Sequence, residues 1–272
     1  MSRKVTNILY KISSMATAPM TPRVRSKTKA ALVSRINSDL THNVETGLGN
    51  LKFLTNRGSN IAAAVSGFLN DEPETLQWIA GMKKGETFWD IGANIGLYSL
   101  YAGLRKDLDV YGFEPSALNY GLMAEHIVLN KLDKHVNALC IAFGEETALL
   151  KLYGASADAG HASNSVGEAV NQFGEFEVSY EQMVPVYTMD DFCSQFDCKA
   201  PDHLKLDVDG LEANILRGGP KTLSKIGSLM IEIEGAQDRQ DEILSLIKAS
   251  GLTEQELDIK GIKARNRLFV RA

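Results

Sequence analysis

From residue 87 onward the chain alternates between short, nearly unbroken apolar runs and longer stretches where apolar residues recur every three or four positions. The runs are Thr87-Phe88-Trp89-Asp90-Ile91, Val110-Tyr111-Gly112-Phe113, Val136 to Phe143, His203-Leu204-Lys205-Leu206-Asp207-Val208 and Leu229-Met230-Ile231-Glu232-Ile233-Glu234. Unbroken apolar runs of this length predict strands buried on both faces. Helical spacing separates them: Leu97, Leu100, Tyr101 and Leu104, then Leu122, Met123, His126, Ile127 and Leu129 within about 119–132. Further helices are expected from about Leu211 and over 238–250, the latter ending at Gly251. Leu149 to Tyr153 and Phe176 to Tyr180 predict additional strands, and 253–259 with 266–271 predict a hairpin that closes one edge. Repeated β-α units of this kind predict an α/β fold, a mostly parallel sheet with helices on both faces and an antiparallel strand from the terminal hairpin.

Upstream the pattern changes. Asn50 to Thr55 and Ile61 to Val65 flank Asn56-Arg57-Gly58-Ser59-Asn60, which predicts a hairpin with a glycine-bearing turn. Asp71-Glu72-Pro73-Glu74 predicts a helix start, with proline in the first turn and acids at the positive end of the dipole. Residues 1–45 stand apart as a basic extension with helical character, followed by a domain over 46–272 (hairpin and helix 46–86, α/β core 87–272). In the extension Val5, Ile8, Leu9 and Ile12 fall at helical spacing near Lys4 and Lys11, until Pro19 and Pro22 interrupt the pattern. A membrane-surface or partner-docking helix fits this pattern. So does a transit-peptide-like segment, or simply a helix packed on its own domain.

Charge sharpens that division. Residues 1–35 carry eight basic residues and no acid, leaving twenty-one basic residues against thirty-four acidic ones in the rest of a chain of net charge −5. A net charge of −5 does not suggest nucleic-acid binding. No apolar run is long enough to cross a bilayer. Cys140, Cys193 and Cys198 show neither disulfide nor zinc spacing, which points to a reduced, cytoplasmic protein with Cys140 as a small core residue. Gly154 to Gly167 is rich in small and polar residues and reads as a long loop, either a binding loop or a variable connection.

The chemistry concentrates at the ends of the predicted strands. Asp90-Ile91-Gly92-Ala93-Asn94-Ile95-Gly96 runs from a strand through two glycines into a helix, and ligands of open α/β sheets sit at that corner. The spacing is G-x-x-x-G rather than the G-x-G-x-x-G that holds a dinucleotide pyrophosphate, so the nicotinamide-dependent oxidoreductase is the weaker alternative. Asp90 would offset a cationic amino-acid end or hold the loop, and Glu114, 22 residues after Gly92, would accept from ribose hydroxyls. Ala93, Asn94, Pro115 and Ala142 complete the expected cofactor set. S-adenosylmethionine is the cofactor that suits these groups.

These residues carry a family resemblance. Asp90 to Tyr98, Phe113-Glu114-Pro115-Ser116 and Leu204 to Glu212 look like the FkbM family of S-adenosylmethionine-dependent methyltransferases, as do Val186 to Phe192, Leu216-Arg217-Gly218-Gly219 and the strand ending Ile231-Glu232. The resemblance spans roughly 45–272, departs at Gly219 where alanine is more usual, and is weak over 154–180. It implies a class I (Rossmann-like) methyltransferase fold with a seven-stranded sheet. It also implies O-methylation of a sugar, glycan or small natural-product hydroxyl.

Methyl transfer to a hydroxyl needs alignment and a destination for the proton, hence a base or a metal ion. Asp207, Lys205 and Glu232 are the catalytic candidates, with Lys205, Asp207 and Asp209 expected to alternate along one face of the fourth strand. Asp207, Glu232 and Glu234 are the oxygen ligands available to a divalent cation. Plainer roles compete: Asp209-Gly210-Leu211-Glu212 is a possible capping box, and Lys205 a structural partner of Asp207. His161 is a loop histidine, His126 a structural one, and His203 carries no assignment. A catalytically silent, cofactor-binding scaffold of the same fold is the remaining alternative.

Overall fold

The structure, a computed structural model, describes residues 2–57, 59–162, 164–171, 174–196, 198–257 and 264–272. It opens with helices α1 (Ser2–Thr17) and α2 (Pro22–Asp39), hairpin strands β1 (Thr41–Thr46) and β2 (Gly49–Leu54), and helices α3 (Ser59–Asp71) and α4 (Pro73–Gly81). The α/β part begins with β3 (Thr87–Ile91), α5 (Leu97–Gly103), β4 (Asp109–Phe113), α6 (Ala117–Leu129) and β5 (Val136–Leu139). Strands β6 (Ala142–Phe143), β7 (Ala148–Gly154), β8 (Asn164–Val166), β9 (Val170–Asn171), β10 (Gly174–Glu175) and β11 (Tyr180–Tyr187) follow. The chain finishes with α7 (Met189–Gln195), β12 (His203–Leu206), α8 (Glu212–Arg217), α9 (Pro220–Leu223), β13 (Ser228–Glu232), α10 (Gln237–Ala249), β14 (Leu252–Gln255) and β15 (Asn266–Arg271).

The central sheet has seven strands in the order β14-β15-β13-β12-β3-β4-β5. Strands β5, β4, β3, β12 and β13 are mutually parallel, and β15 runs antiparallel to both its neighbours. This is the class I methyltransferase architecture expected from the sequence. The first strand of the sheet, β3, lies centrally: β4 and β5 extend one way from it, β12 and β13 the other. Strand order therefore reverses between β3 and β12, and a crevice opens beyond their carboxyl ends.

Alternation along β3 divides the core. Phe88 packs with Val110, Leu100 and Leu122 under α5 and α6, whereas Trp89 joins Phe113, Phe143 and Phe192 on the opposite face. The Trp89 ring stacks on Phe143 at 5.7 Å and meets Phe113 edge-on at 5.0 Å. Burial on both faces is why the strands read as unbroken apolar runs.

Several expectations need correction. Ile61 to Val65 is helix, not strand: Ile61, Val65 and Phe68 are buried on one side of α3 at positions i, i+4 and i+7, and the three intervening alanines favour helix. The hairpin partner of 49–54 is instead 41–46, which crosses the boundary expected at residue 45; Gly58 of the expected turn lies outside the described residues. The run 136–143 is broken after Leu139: β5 pairs with β4 in the central sheet, while β6 pairs with β11 in a second, four-stranded sheet of order β6-β11-β7-β8. That second sheet takes 180–187 as its strand, rather than 176–180. Strand β12 stops at Leu206, so Asp207 and Asp209 lie on the loop beyond it and do not alternate with Lys205 along a strand. Of the expected strand 253–259, residues 253–255 belong to β14, which begins at Leu252, and 258–259 lie outside the described residues.

Candidate functional site

A cavity of about 350 Å³ opens at the reversal point of the sheet. Its walls include the β3–α5 loop (Gly92, Ala93, Asn94), the end of β4 (Glu114, Pro115), Ala142 and Phe143 of β6, the loop after β12 (Asp207, Val208, Asp209), and Glu232.

The β3–α5 corner is held by backbone bonds, with the N–H groups of Gly92 and Ala93 both donating to the Phe113 carbonyl at 3.0 Å. Gly92 (φ +86°), Asn94 (φ +51°) and Gly96 (φ +86°) all take left-handed conformations. A Cβ on Gly92 would lie 1.9 Å from the Asp207 carbonyl oxygen, and one on Gly96 would lie 2.7 Å from Leu100 and Met123 side-chain atoms. The glycines thus let the corner press against the neighbouring loop and against α6. The space beside them is filled by protein rather than left for a ligand, and Gly96 does not line the cavity.

Glu114 is buried at the wall of the cavity. Its Oε2 accepts from the Asn94 N–H and its Oε1 from the Ser116 N–H, both at 2.9 Å. Burial outweighs these donors and pushes its carboxyl up to about 7. The Asn94 side-chain oxygen, on the same wall, is buried with no hydrogen-bond partner, which marks a place for a donor. Asp90 sits below the cavity rather than on it. Its Oδ2 accepts from the Ser99 hydroxyl at 2.6 Å, and its other oxygen is unpartnered. Burial raises its pKa, against the pull of Lys205, its register partner on β12.

Lys205 is the charged centre of the floor. Its ammonium donates to Asp207 Oδ2 at 2.5 Å, lies 3.7 Å from Glu72 Oε2, and stands 4.7 Å from the centre of the Tyr98 ring. Burial would lower its pKa, but the Asp207, Glu72 and Asp90 carboxylates prevail and hold it above the ordinary lysine value. Burial and the Glu72 carboxylate likewise raise the Tyr98 phenol far above its ordinary value. Glu72 also accepts from Thr75 and from Asn266 Nδ2.

Glu232 ends β13 on the same side of the cavity. Burial, with Asp207 adding repulsion, pushes it up to about 7, even though Arg265 places Nη2 and Nε at 3.0 and 3.2 Å from its Oε1. Glu234 is exposed beyond the strand end and does not line the cavity. Among the described residues no group of three or more His, Cys, Asp or Glu side chains is arranged to hold a metal ion. Asp207 and Glu232 are engaged by Lys205 and Arg265 instead.

The small-residue loop reaches over the cavity. Asn119 of α6 accepts from the Gly160 N–H at 2.8 Å and donates to the His161 carbonyl at 3.2 Å, so His161 reaches the cavity wall. His126 is structural, as expected: wholly buried, it accepts from the Leu54 N–H through Nε2 and bonds the Ile95 carbonyl through Nδ1. His203 bonds Ser228 and Glu86 away from the site. Cys140 is half-buried rather than part of the core, and all three cysteines are free thiols. The Asp209–Glu212 segment is not a capping box: Leu211 is the N-cap of α8, without a side-chain cap, and Glu212 pairs with Arg239. Asp190 of the 186–192 motif is structural, accepting from Thr222 and Lys221 at the start of α9.

Sequence reasoning gave no cavity role to Glu72, Tyr98, Asn119 or Arg265, among other lining residues. The Glu72-Pro73 step looked like helix-capping chemistry, yet a carboxylate there is free to turn inward. Nothing in the sequence around Arg265 signals a long-range ion pair.

A family model described as the Methyltransferase FkbM domain matches residues 90–254. Among curated proteins, a hexuronic acid methyltransferase, AglP of Haloferax volcanii, is 24% identical over 174 residues, 63% of this chain. The match spans 66% of that relative, just under two thirds of its length. Among solved structures, a putative rRNA methylase of Clostridium thermocellum is 10% identical with a TM-score of 0.45, covering 72% of this chain and 92% of that one. An S-adenosylmethionine-dependent O-methyltransferase of Thermotoga maritima is 11% identical with a TM-score of 0.42, covering 85% and 77%.

Proposed function

The chain belongs to the FkbM methyltransferase family, and from that membership we propose that it methylates a sugar hydroxyl, with a hexuronic acid or its glycan as the leading acceptor class and S-adenosylmethionine as donor. The observation that supports this reading best is the pairing of a buried, ligand-facing Glu114 with an unsatisfied Asn94 side-chain oxygen on one wall of a cavity of about 350 Å³. A nucleoside presents hydroxyl and amino donors, and this wall presents acceptors. The volume lies within the range of small-molecule sites. The acceptor class rests on the hexuronic acid relative.

Glu114 would take the ribose hydroxyls, with Gly92, Ala93, Asn94, Pro115 and Ala142 forming the surrounding wall. Asp90 works from beneath: it ties α5 to the end of β3 through Ser99. When bound, S-adenosylmethionine supplies an electrophilic methyl on a sulfonium with a neutral thioether as leaving group.

The chain's own task is then to align the acceptor oxygen and remove its proton. Glu232, with its carboxyl raised to about 7, is matched to that work near neutral pH. Asp207, held by Lys205, orients the acceptor through hydrogen bonds, and Lys205 keeps the carboxylates of the floor from repelling one another. The His161 segment, held by Asn119, lines one wall of the cavity.

The test is incubation of the protein with methyl-labelled S-adenosylmethionine and a panel of hexuronic acids, hexoses and their glycosides, read by mass spectrometry. Label in an alkali-stable methyl ether is expected. Cofactor binding by calorimetry with no labelled product from any acceptor would favour the silent scaffold. No binding at all would overturn the cofactor site.

A further inference from the structure

The first helix of the chain carries an apolar stripe that its own fold leaves in water. Val5, Ile8, Leu9, Ile12 and Met15 of α1 are between 50% and 75% exposed, and their spacing places them on one helical face. Lys4 and Lys11, seven residues and so two turns apart, lie along one border of that face and are exposed. An exposed stripe of large apolar side chains is uncommon on a soluble surface unless something covers it.

We propose that α1 lies in the headgroup plane of an anionic lipid bilayer, with Val5, Ile8, Leu9, Ile12 and Met15 inserted and the exposed Lys4, Lys11, Arg23 and Lys27 against lipid phosphates. Charge complementarity selects this occupant. Residues 1–35 hold eight basic side chains and not one acid, a composition that attracts anionic headgroups wherever it meets them. Lysines at the edge of an apolar face keep their stems with the hydrocarbon and their ammonium groups at the phosphates.

Length sets the orientation. A helix of sixteen residues is about 24 Å long, short of the ~30 Å hydrocarbon layer. Accordingly, no helix among the described residues is long and apolar enough to cross a membrane, so α1 rests on the surface. The corner after it is built to hold that pose. Arg25 of α2 donates to the carbonyls of Thr17, Ala18 and Met20, clamping the turn between the two helices. Arg23 and Lys27 remain exposed on α2 to add to the basic surface. The inference does not depend on the identity of the acceptor or on turnover.

The full-length protein is mixed with vesicles of phosphatidylcholine containing about 30% phosphatidylglycerol, or of phosphatidylcholine alone, and sedimented at low and high salt. Binding to the anionic vesicles at least roughly tenfold above the neutral ones, weakened by salt, is the expected result. The double variant Ile8→Glu/Ile12→Glu should lose this binding, and Lys4→Glu/Lys11→Glu should lose most of it. Both should keep wild-type melting curves and S-adenosylmethionine affinity, since none of these residues lies at the cavity. Equal sedimentation with neutral and anionic vesicles overturns the proposal, as does undiminished binding by the Ile8/Ile12 variant. A concentration-dependent dimer that this variant abolishes, without lipid binding by the wild type, assigns the stripe to a second copy of the chain and overturns it equally.

Discussion

The ammonium of Lys205 donates to Oδ2 of Asp207 at 2.5 Å, across the point where β12 ends and its loop begins. The pair is asymmetric: the Lys205 side chain is 1% exposed while that of Asp207 is 32% exposed. The lysine belongs to the floor and the aspartate to the cavity, so each reports on a different property.

Replacing Lys205 with Met should destabilise the fold by about 3–5 kcal/mol, because Asp90, Glu72 and Asp207 would face one another without a buried cation. A second change, Glu72→Gln, should recover part of that loss by removing one of the carboxylates. Urea unfolding of the single and double variants measures both. Additive losses would show that Lys205 does not neutralise Glu72.

Glu114 should make stability depend on pH in an unusual direction. Its folded pKa is raised from about 4.5 to about 7, so the folded state holds a proton that the unfolded state has released. Its contribution is complete below pH ~4.5 and is lost as pH rises through ~7. Between pH 5 and pH 8 the wild type should lose more stability than Glu114→Gln, by an amount on the order of 3 kcal/mol at most. Denaturant titrations at the two pH values test this; parallel behaviour of the two proteins would contradict a buried, raised carboxyl.

Glu114→Gln should also weaken S-adenosylmethionine binding, by about 1–3 kcal/mol in calorimetry, through loss of a charged acceptor at the wall. Asp90→Asn should change affinity less and melting temperature more, because Asp90 lies under the cavity and bonds Ser99. Wild-type affinity in a folded Glu114→Gln protein would remove that residue from the cofactor site.

Gly92→Ala forces a methyl group against the Asp207 carbonyl, 1.9 Å from the ideal Cβ position, at a φ of +86°. Either the β3–α5 corner or the Asp207 loop must move. A loss on the order of 1–3 kcal/mol is expected, with weaker cofactor binding alongside it. Thermal melting and calorimetry on one preparation check it.

For the proton, Glu232→Gln should lower kcat by about 10²–10⁴-fold with cofactor affinity retained. In the wild type kcat should rise with pH through about 7 as Glu232 ionises, and that rising limb should vanish in the variant. Asp207→Asn should slow turnover but keep the limb. If Asp207→Asn is the change that flattens the profile, the base is Asp207 instead. The acceptor is the sugar selected by the labelled-methyl assay.

The basic, acid-free stretch, the α/β class, the boundaries of β3 and the carboxylates of Asp90 and Glu114 at neighbouring strand ends were all legible in the sequence. Each follows from local physics: a strand buried on both faces must be apolar, a left-handed corner favours glycine, and charges inside an apolar run stand out. Tertiary structure alone decided that Ile61 to Val65 is helix, since a short apolar run fits either period until its packing partners are known. It alone broke the run 136–143 between two sheets, because pairing partners decide where a strand belongs. And it alone brought Glu72 to Lys205, 133 positions away, and Arg265 to Glu232, 33 positions away: ion pairs between separate elements are set by how the chain closes on itself, which neighbouring residues do not encode.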